Sequence, residues 1–217
     1  MNFEQARFNM VEQQIRPWDV LDQTVLDLMR NVARERFVPE PLQRLAYADT
    51  EIPLGDGELM MPPRVEARLL QSLQITAGDR ALEIGTGSGF VTALLARLAR
   101  HVTSIEISEP LHARAREVLA AEGVVNVSLE HGDGLRGWLQ GAPYDVIAVT
   151  GSVPVLEPDM QRQLRLGGRM FVIVGDAPTM EARLITRTGE DEWSTESLFE
   201  TVVAPLRGAA RPQRFVL

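Results

Sequence analysis

The sequence predicts an α/β fold, a doubly wound sheet of seven strands preceded by a helical extension, and three observations carry that expectation. The run Ala81-Leu82-Glu83-Ile84-Gly85-Thr86-Gly87-Ser88-Gly89-Phe90 passes from an apolar strand through alternate glycines into Val91 to Leu98, where apolar residues recur at helical spacing. A second strand-like run, His101 to Ile107, ends on an acid about twenty residues beyond Gly85. Strand and helix patterns then alternate along the rest of the chain, as in a sheet covered on both faces.

From Asn2 to about Ile15, Phe3, Phe8, Met10, Val11 and Ile15 predict a loosely amphipathic helix. Arg16-Pro17 should end it, because the residue before proline avoids helical angles. Asp22 is placed to cap a second helix with Val25, Leu28, Met29 and Val32 as its buried face, stopped by Val38-Pro39-Glu40-Pro41. These helices read as cover for a pocket. We therefore expect one domain over 1–217, with 1–75 supplying helices and a substrate-side loop and 76–217 the α/β core. The loop is Ile52 to Pro63, which holds two glycines and three prolines; it also reads as an ordinary connection with Met60 and Met61 as core filler. A helix from about Arg64 to Leu73 leads out of it.

The glycine turn demands backbone angles that a Cβ forbids, and bare backbone lets a ligand lie on the helix N-terminus. A dinucleotide fingerprint wants another small residue where Phe90 stands, so a nucleoside without a pyrophosphate, S-adenosylmethionine, fits better. Glu83 would face the cationic methionine end of such a ligand, or else be a solvated strand-end acid. Glu106 is placed to accept from a ribose diol, the alternative being a helix-entry acid favoured by the dipole.

Ser108 can cap the next helix, with Leu111, Ala115, Val118 and Leu119 on one face and Gly123 at its end. Asn126 to His131 reads as the third strand and runs into Gly132-Asp133-Gly134, where the Asp can accept from an adenine amino group or simply form a turn. Tyr144 to Thr150 is a fourth, almost wholly apolar strand, as expected of one buried on both faces. Gly151-Ser152-Val153-Pro154 would then lie on the rim. A helix from about Pro158 to Leu166 precedes a fifth strand, Met170 to Gly175. Arg183 to Arg187 and Trp193 to Val203 read as a closing hairpin around Thr188-Gly189-Glu190-Asp191, and Arg207 to Pro212 as a mobile connection.

A formal charge of −8 with no Lys/Arg block disfavours a nucleic-acid partner. Having no cysteine excludes a disulfide framework, a thiolate zinc site and a Cys nucleophile, and three histidines without ligand spacing make a metal site unexpected. No apolar run reaches the ~20 residues needed to cross a bilayer, and Met1 to Arg7 does not read as a secretory signal, so a cytoplasmic location is expected. The sequence leaves the oligomeric state open.

Strand, glycine turn, acidic strand end, Gly-Asp and fourth strand in this order resemble a class I S-adenosylmethionine-dependent methyltransferase, a Rossmann-like fold. More narrowly the chain is similar to the protein-L-isoaspartate O-methyltransferases, through Met10-Val11-Glu12-Gln13-Gln14-Ile15-Arg16, Arg36-Phe37-Val38-Pro39, Ala46-Tyr47-Ala48-Asp49, the glycine turn, Gly132-Asp133-Gly134, Tyr144-Asp145, Val149-Thr150 and Val203-Ala204-Pro205-Leu206. The resemblance implies that Glu83, Gly85, Thr86, Gly87, Ser88 and Gly89 cradle the methionine moiety. It makes Glu106, with Ile107 beside it, the ribose contact, and Asp133 with Gly134 the adenine contact. It implies a protein or peptide substrate whose isoaspartyl carboxylate is methylated.

The chain departs from the family at the Thr150-Gly151-Ser152 rim, where the family tends to small apolar residues, in the stretch after Pro205-Leu206 that runs on to Arg214-Phe215-Val216-Leu217, and above all in one loop. Where the family usually has a Gly-Gln-Thr-Ile-Ser-Gln-Pro run, this chain has Gly57-Glu58-Leu59-Met60-Met61-Pro62-Pro63. Leu59 replaces the Thr and Met61 the Ser, so Leu59, Met60, Met61, Thr150 and Gly151 become the substrate-side candidates, with Glu58 adding negative charge. The alternatives are a relative that methylates another acceptor or one that binds the donor without turnover. An ionised carboxylate acceptor needs no general base, so no catalytic side chain is named.

Overall fold

The computed structural model describes residues 2–210. The first helix, α1 (Phe3–Met10), is capped by the Asn2 side chain, which accepts from the Gln5 amide. The path does not stop before Pro17. It widens into a π turn over Val11–Ile15, tightens into a 3-10 turn over Arg16–Trp18 and ends at Asp19, where φ is 58°. The proline lies in the first turn of that last segment, where a missing N–H removes no helical bond. Asp22 caps α2 (Gln23–Asn31) by accepting from the amides of Thr24 and Val25. Val25, Leu26 and Met29 are its buried residues, and the helix stops as Val32 turns extended, well before the proline pair.

The segment expected to be a loop contains a hairpin, β1 (Ile52–Gly55) with β2 (Glu58–Met60). Asp56 and Gly57 at its tip both have positive φ, as a tight two-residue hairpin turn requires. After α3 (Pro63–Leu73) come β3 (Arg80–Ile84), α4 (Phe90–Leu98), β4 (His101–Glu106), α5 (Glu109–Ala121), β5 (Val127–His131), β6 (Tyr144–Val153), α6 (Pro158–Arg162), β7 (Leu164–Asp176), β8 (Thr179–Arg187) and β9 (Trp193–Glu200).

These last seven strands form one sheet in the order β5-β4-β3-β6-β7-β8-β9, the first five parallel and the last two joined as antiparallel hairpins. The order reverses between β3 and β6. In such a sheet the crevice beyond the carboxyl ends of those strands is where ligands bind. The helix expected over Pro158 to Leu166 has only five residues, because Leu164 already pairs with Tyr144 and the Tyr144 amide donates to Gln163 O at 2.8 Å. The last strand ends at Glu200, short of Val203. The chain instead returns beside β6, where the Ser152 amide donates to Ala204 O at 2.9 Å and the Leu206 amide to Ser152 O at 2.8 Å.

The N-terminal elements share one hydrophobic cluster with the sheet and α4, including Met10, Ile15, Leu26, Met29 and Phe37 with Leu94, Leu95 and Phe171. Phe90 joins the two layers. Its ring meets Phe37 edge-on at 5.4 Å, and the fully buried Arg34 guanidinium lies over it at 5.3 Å. Bulk at the position where a dinucleotide fold keeps a small residue thus serves to seat the helical cover.

Candidate functional site

A cavity opens at the carboxyl ends of β3, β4 and β6, the crevice where an open α/β sheet binds its ligand. Its floor is the glycine turn, with φ of 97° at Gly85, 52° at Gly87 and 81° at Gly89. A Cβ on Gly85 would stand 2.5 Å from Thr150 Oγ1, so both the angle and the space demand glycine. The turn is pinned from two sides. The amides of Gly85 and Thr86 donate to Ile105 O at 2.9 and 3.1 Å, and Thr150 Oγ1 lies 2.8 Å from Ile84 O and also against Gly85 O.

Glu106 lines the cavity and is nearly buried. Its Oε2 accepts from the Gly87 amide at 2.7 Å and its Oε1 from the Ser108 amide at 2.8 Å. Each carboxylate oxygen keeps a second lone pair for a ligand hydroxyl. Ile107, Leu111 and Leu135 supply an apolar wall beside Gly132, Asp133 and Gly134. A Cβ on Gly134 would meet Ile84 Cδ1 at 2.9 Å, while Asp133 Oδ1 accepts from the Leu135 amide and closes the loop. Backbone glycines, an apolar slot and one buried carboxylate are a donor set suited to S-adenosylmethionine.

Glu83 does not line this cavity. It is fully buried, and its Oε2 accepts from Thr92 Oγ1 and Ser104 Oγ, both at 2.5 Å; Ser104 Oγ in turn lies 2.6 Å from Thr86 Oγ1. Its place is under the turn, buried rather than solvated and behind the residues that line the cavity. Burial pushes its carboxyl up to about 8, against the opposing hydrogen bonds from Ser104 and Thr92. Between its ordinary value of 4.5 and about 8 the folded state holds a proton that the unfolded state has lost, so this group's stabilisation is full below 4.5 and falls as pH rises across that window. Glu83→Gln is therefore expected to match the parent near pH 4 and to exceed it at pH 8 by up to roughly 4 kcal/mol. Urea midpoints at the two pH values test this, and parallel pH profiles would refute it.

Thr150, Gly151 and Leu59 lie at the mouth, Leu59 half-exposed. Met60 and Met61 turn inward and line a smaller crevice with Thr86, Ser88 and Glu66. Gly89 packs against Leu119, where a Cβ would come within 3.3 Å, and lies outside the cavity lining. Sequence reasoning missed three participants. Leu54 enters from the hairpin, Ala204 to Arg207 arrive from the returning chain, and the ion pair of Arg34 with Glu66 lies beneath. Arg207 was expected in a mobile connection, yet it bonds the hairpin tip through Asp56 and Glu58; residues 211–217, including the Arg214-Phe215-Val216-Leu217 end, lie outside the described residues. Among the described residues no helix is long and apolar enough to cross a membrane.

Comparison with known proteins gives a consistent picture. The family profile of protein-L-isoaspartate(D-aspartate) O-methyltransferases matches residues 5–211. Protein-L-isoaspartate O-methyltransferase 1 of Rhodopseudomonas palustris (strain HaA2) is 42% identical over 208 residues, covering 95% of this chain and 85% of its own. Protein-L-isoaspartate O-methyltransferase 2 of Pelobacter propionicus is 38% identical, covering 96% of this chain and 93% of its own. A solved protein-L-isoaspartate O-methyltransferase superposes with a TM-score of 0.79 at 25% identity, over 93% of this chain and 66% of that one. A Plasmodium falciparum protein of the same description, solved with S-adenosyl-L-homocysteine, shares the fold with a TM-score of 0.80 at 19% identity, over 95% of this chain and 99% of that one.

Proposed function

The chain belongs to the protein-L-isoaspartate(D-aspartate) O-methyltransferase family, and from that premise we propose that it methylates the free carboxylate of damaged aspartyl residues in proteins or peptides. It is an S-adenosylmethionine-dependent methyltransferase. The observation that carries the specific reading is the placement of the glycine and Glu106 cradle directly behind a mouth framed by the β1–β2 hairpin, Thr150-Gly151 and the returning segment 204–207.

In our assignment the backbone of Gly85 and Gly87 would hold the methionine end, Glu106 the ribose hydroxyls, and Gly132 to Gly134 with the apolar wall the adenine. Glu83 acts one layer down, tying β3 to α4 and β4 through Thr92 and Ser104, so it positions the turn. When bound, S-adenosylmethionine supplies an electrophilic methyl carbon on a sulfonium; a carboxylate oxygen forms the new bond while the carbon–sulfur bond breaks and its electron pair stays on sulfur. The acceptor is already ionised at neutral pH, so no side chain has to take a proton. The protein's part is to align the oxygen and exclude water, which the apolar side chains of Leu54, Leu59 and Leu206 at the mouth suit.

Base-labile transfer of labelled methyl to an isoaspartyl peptide, and none to its normal aspartyl counterpart, is the expected result. Binding of S-adenosylhomocysteine is measured in the same sample. Donor-product binding without transfer to the isoaspartyl peptide would overturn the acceptor while leaving the methyltransferase site standing, and Leu59 in place of a hydroxyl would then point to a less polar acceptor.

A further inference from the structure

We propose that Arg207 is the residue that recognises the acceptor, its guanidinium taking the incoming carboxylate in place of Glu58. The inference rests on the carboxyl-methylation reading and names the group that would perform the recognition.

Among the described residues lining the cavity, Arg207 is the one cation, set against three acids, Glu58, Glu106 and Asp133. The rest of the mouth is Thr150, Gly151 and apolar side chains, none of them positively charged. A carboxylate arriving there would leave water with no positive partner unless Arg207 supplied it, and an unpaired charge in such a place is disfavoured.

The existing ion pair is incomplete in a way that invites exchange. Arg207 Nε and Nη2 both donate to the same oxygen of Glu58, Oε1, at 3.0 and 2.7 Å. A guanidinium holds a carboxylate best through two parallel bonds to two oxygens, and the pair with Glu58 falls short of that geometry, which makes it the easier to displace. Nη1 has no acceptor among the described residues. Both side chains are partly exposed, and pairs of that kind are weak.

Arg207 also keeps its position when Glu58 lets go. Its Nη2 donates to Asp56 Oδ2 at 3.0 Å and to Asp56 O at 2.9 Å, and Asp56 is held independently because Ser108 Oγ donates to the same Oδ2 at 2.8 Å. Ser108 is the residue whose amide bonds Glu106. The acceptor seat and the donor cradle are thus fastened to one helix start. With one acceptor oxygen on Arg207, the other is left to form the bond to methyl carbon, and no proton has to move.

A simple clasp that holds the hairpin shut would use the same two residues, and the two ideas differ in sign at Glu58. If Glu58 occupies the acceptor's seat, Glu58→Gln should lower KM for the isoaspartyl peptide about threefold or more, whereas Arg207→Gln should raise it about tenfold or more, the scale of a charge-assisted pair. Arg207→Lys, which keeps the charge without the fork, should fall between. In all three variants S-adenosylhomocysteine affinity should stay within about twofold. Equilibrium binding of a fluorescent isoaspartyl peptide to protein loaded with S-adenosylhomocysteine should follow the same order. A loss in both Glu58→Gln and Arg207→Gln, or a parallel loss of S-adenosylhomocysteine binding, would identify a clasp and overturn the proposal. If the parent protein binds S-adenosylhomocysteine but neither binds nor methylates the peptide, the acceptor assignment and this proposal both fall; if it methylates the peptide and Arg207→Gln does so equally well, only this proposal does.

Discussion

Arg34→Met is expected to lower the unfolding free energy by about 3–5 kcal/mol. Arg34 is completely buried, and its Nε and Nη2 donate to the two oxygens of Glu66 at 3.0 and 3.2 Å. Nη1 donates to Ala46 O and Nη2 to Met61 O, both at 2.6 Å. Methionine fills much of the space over Phe90 but leaves Glu66 as a buried charge without a partner, and two carbonyls without donors. Burial already pushes the Glu66 carboxyl up and Arg34 opposes it; without the guanidinium the group should take up a proton in the fold. A raised carboxyl contributes stability below its ordinary value and loses it as pH rises, so the deficit should be larger at pH 8 than at pH 5.5. Urea unfolding at both pH values tests this. Arg34→Met with Glu66→Leu should recover most of the loss, because replacing both partners removes the stranded charge. A deficit under about 1 kcal/mol, or one that does not depend on pH, would show that water reaches the site and that the pair is not the fastening described here.

The parts of the fold that were legible are those with local grammar. The glycine turn, the caps at Asp22 and Ser108 and the apolar strands each state their conformation within a few residues, and the structure has each of them, with the strand read from Met170 starting earlier, at Leu164, and the last one stopping at Glu200. The hairpin at Asp56-Gly57 was equally legible, since Asp-Gly between short apolar runs is a strong turn signal, but the surrounding prolines drew the reading toward a loop. Arg34 with Glu66 and Arg207 with Asp56 were not legible. The first pair is 32 residues apart in sequence and the second about 150, and nothing local marks either. Glu83 shows a different limit. Sequence gives its strand and position, but whether a strand-end acid faces solvent, ligand or core depends on what packs there, and here Thr92 and Ser104 receive it.

For Glu106→Ala, donor-product affinity should fall by roughly 1.5–3 kcal/mol, or about 10- to 150-fold. Two effects contribute. The proposed bonds to the ribose disappear, and the amides of Gly87 and Ser108 lose their acceptor, so the turn is held to β4 only by the Gly85 and Thr86 amides on Ile105 O and the Thr86–Ser104 hydroxyl contact. Glutamine does not separate them cleanly, because its NH2 must face one of those two amide donors. The ligand can be varied instead. If Glu106 bonds the ribose, the parent should bind S-adenosylhomocysteine more tightly than its 2′-deoxy analogue, and Glu106→Ala should bind the two about equally. Calorimetry with both ligands on both proteins closes the cycle, the coupling measuring the carboxylate–hydroxyl interaction apart from any loosening of the turn. Were the preference for the hydroxyl to persist in Glu106→Ala, the carboxylate would be a support for Gly87 and Ser108, and the ribose contact would have to be sought elsewhere along the Ile107 to Leu111 wall.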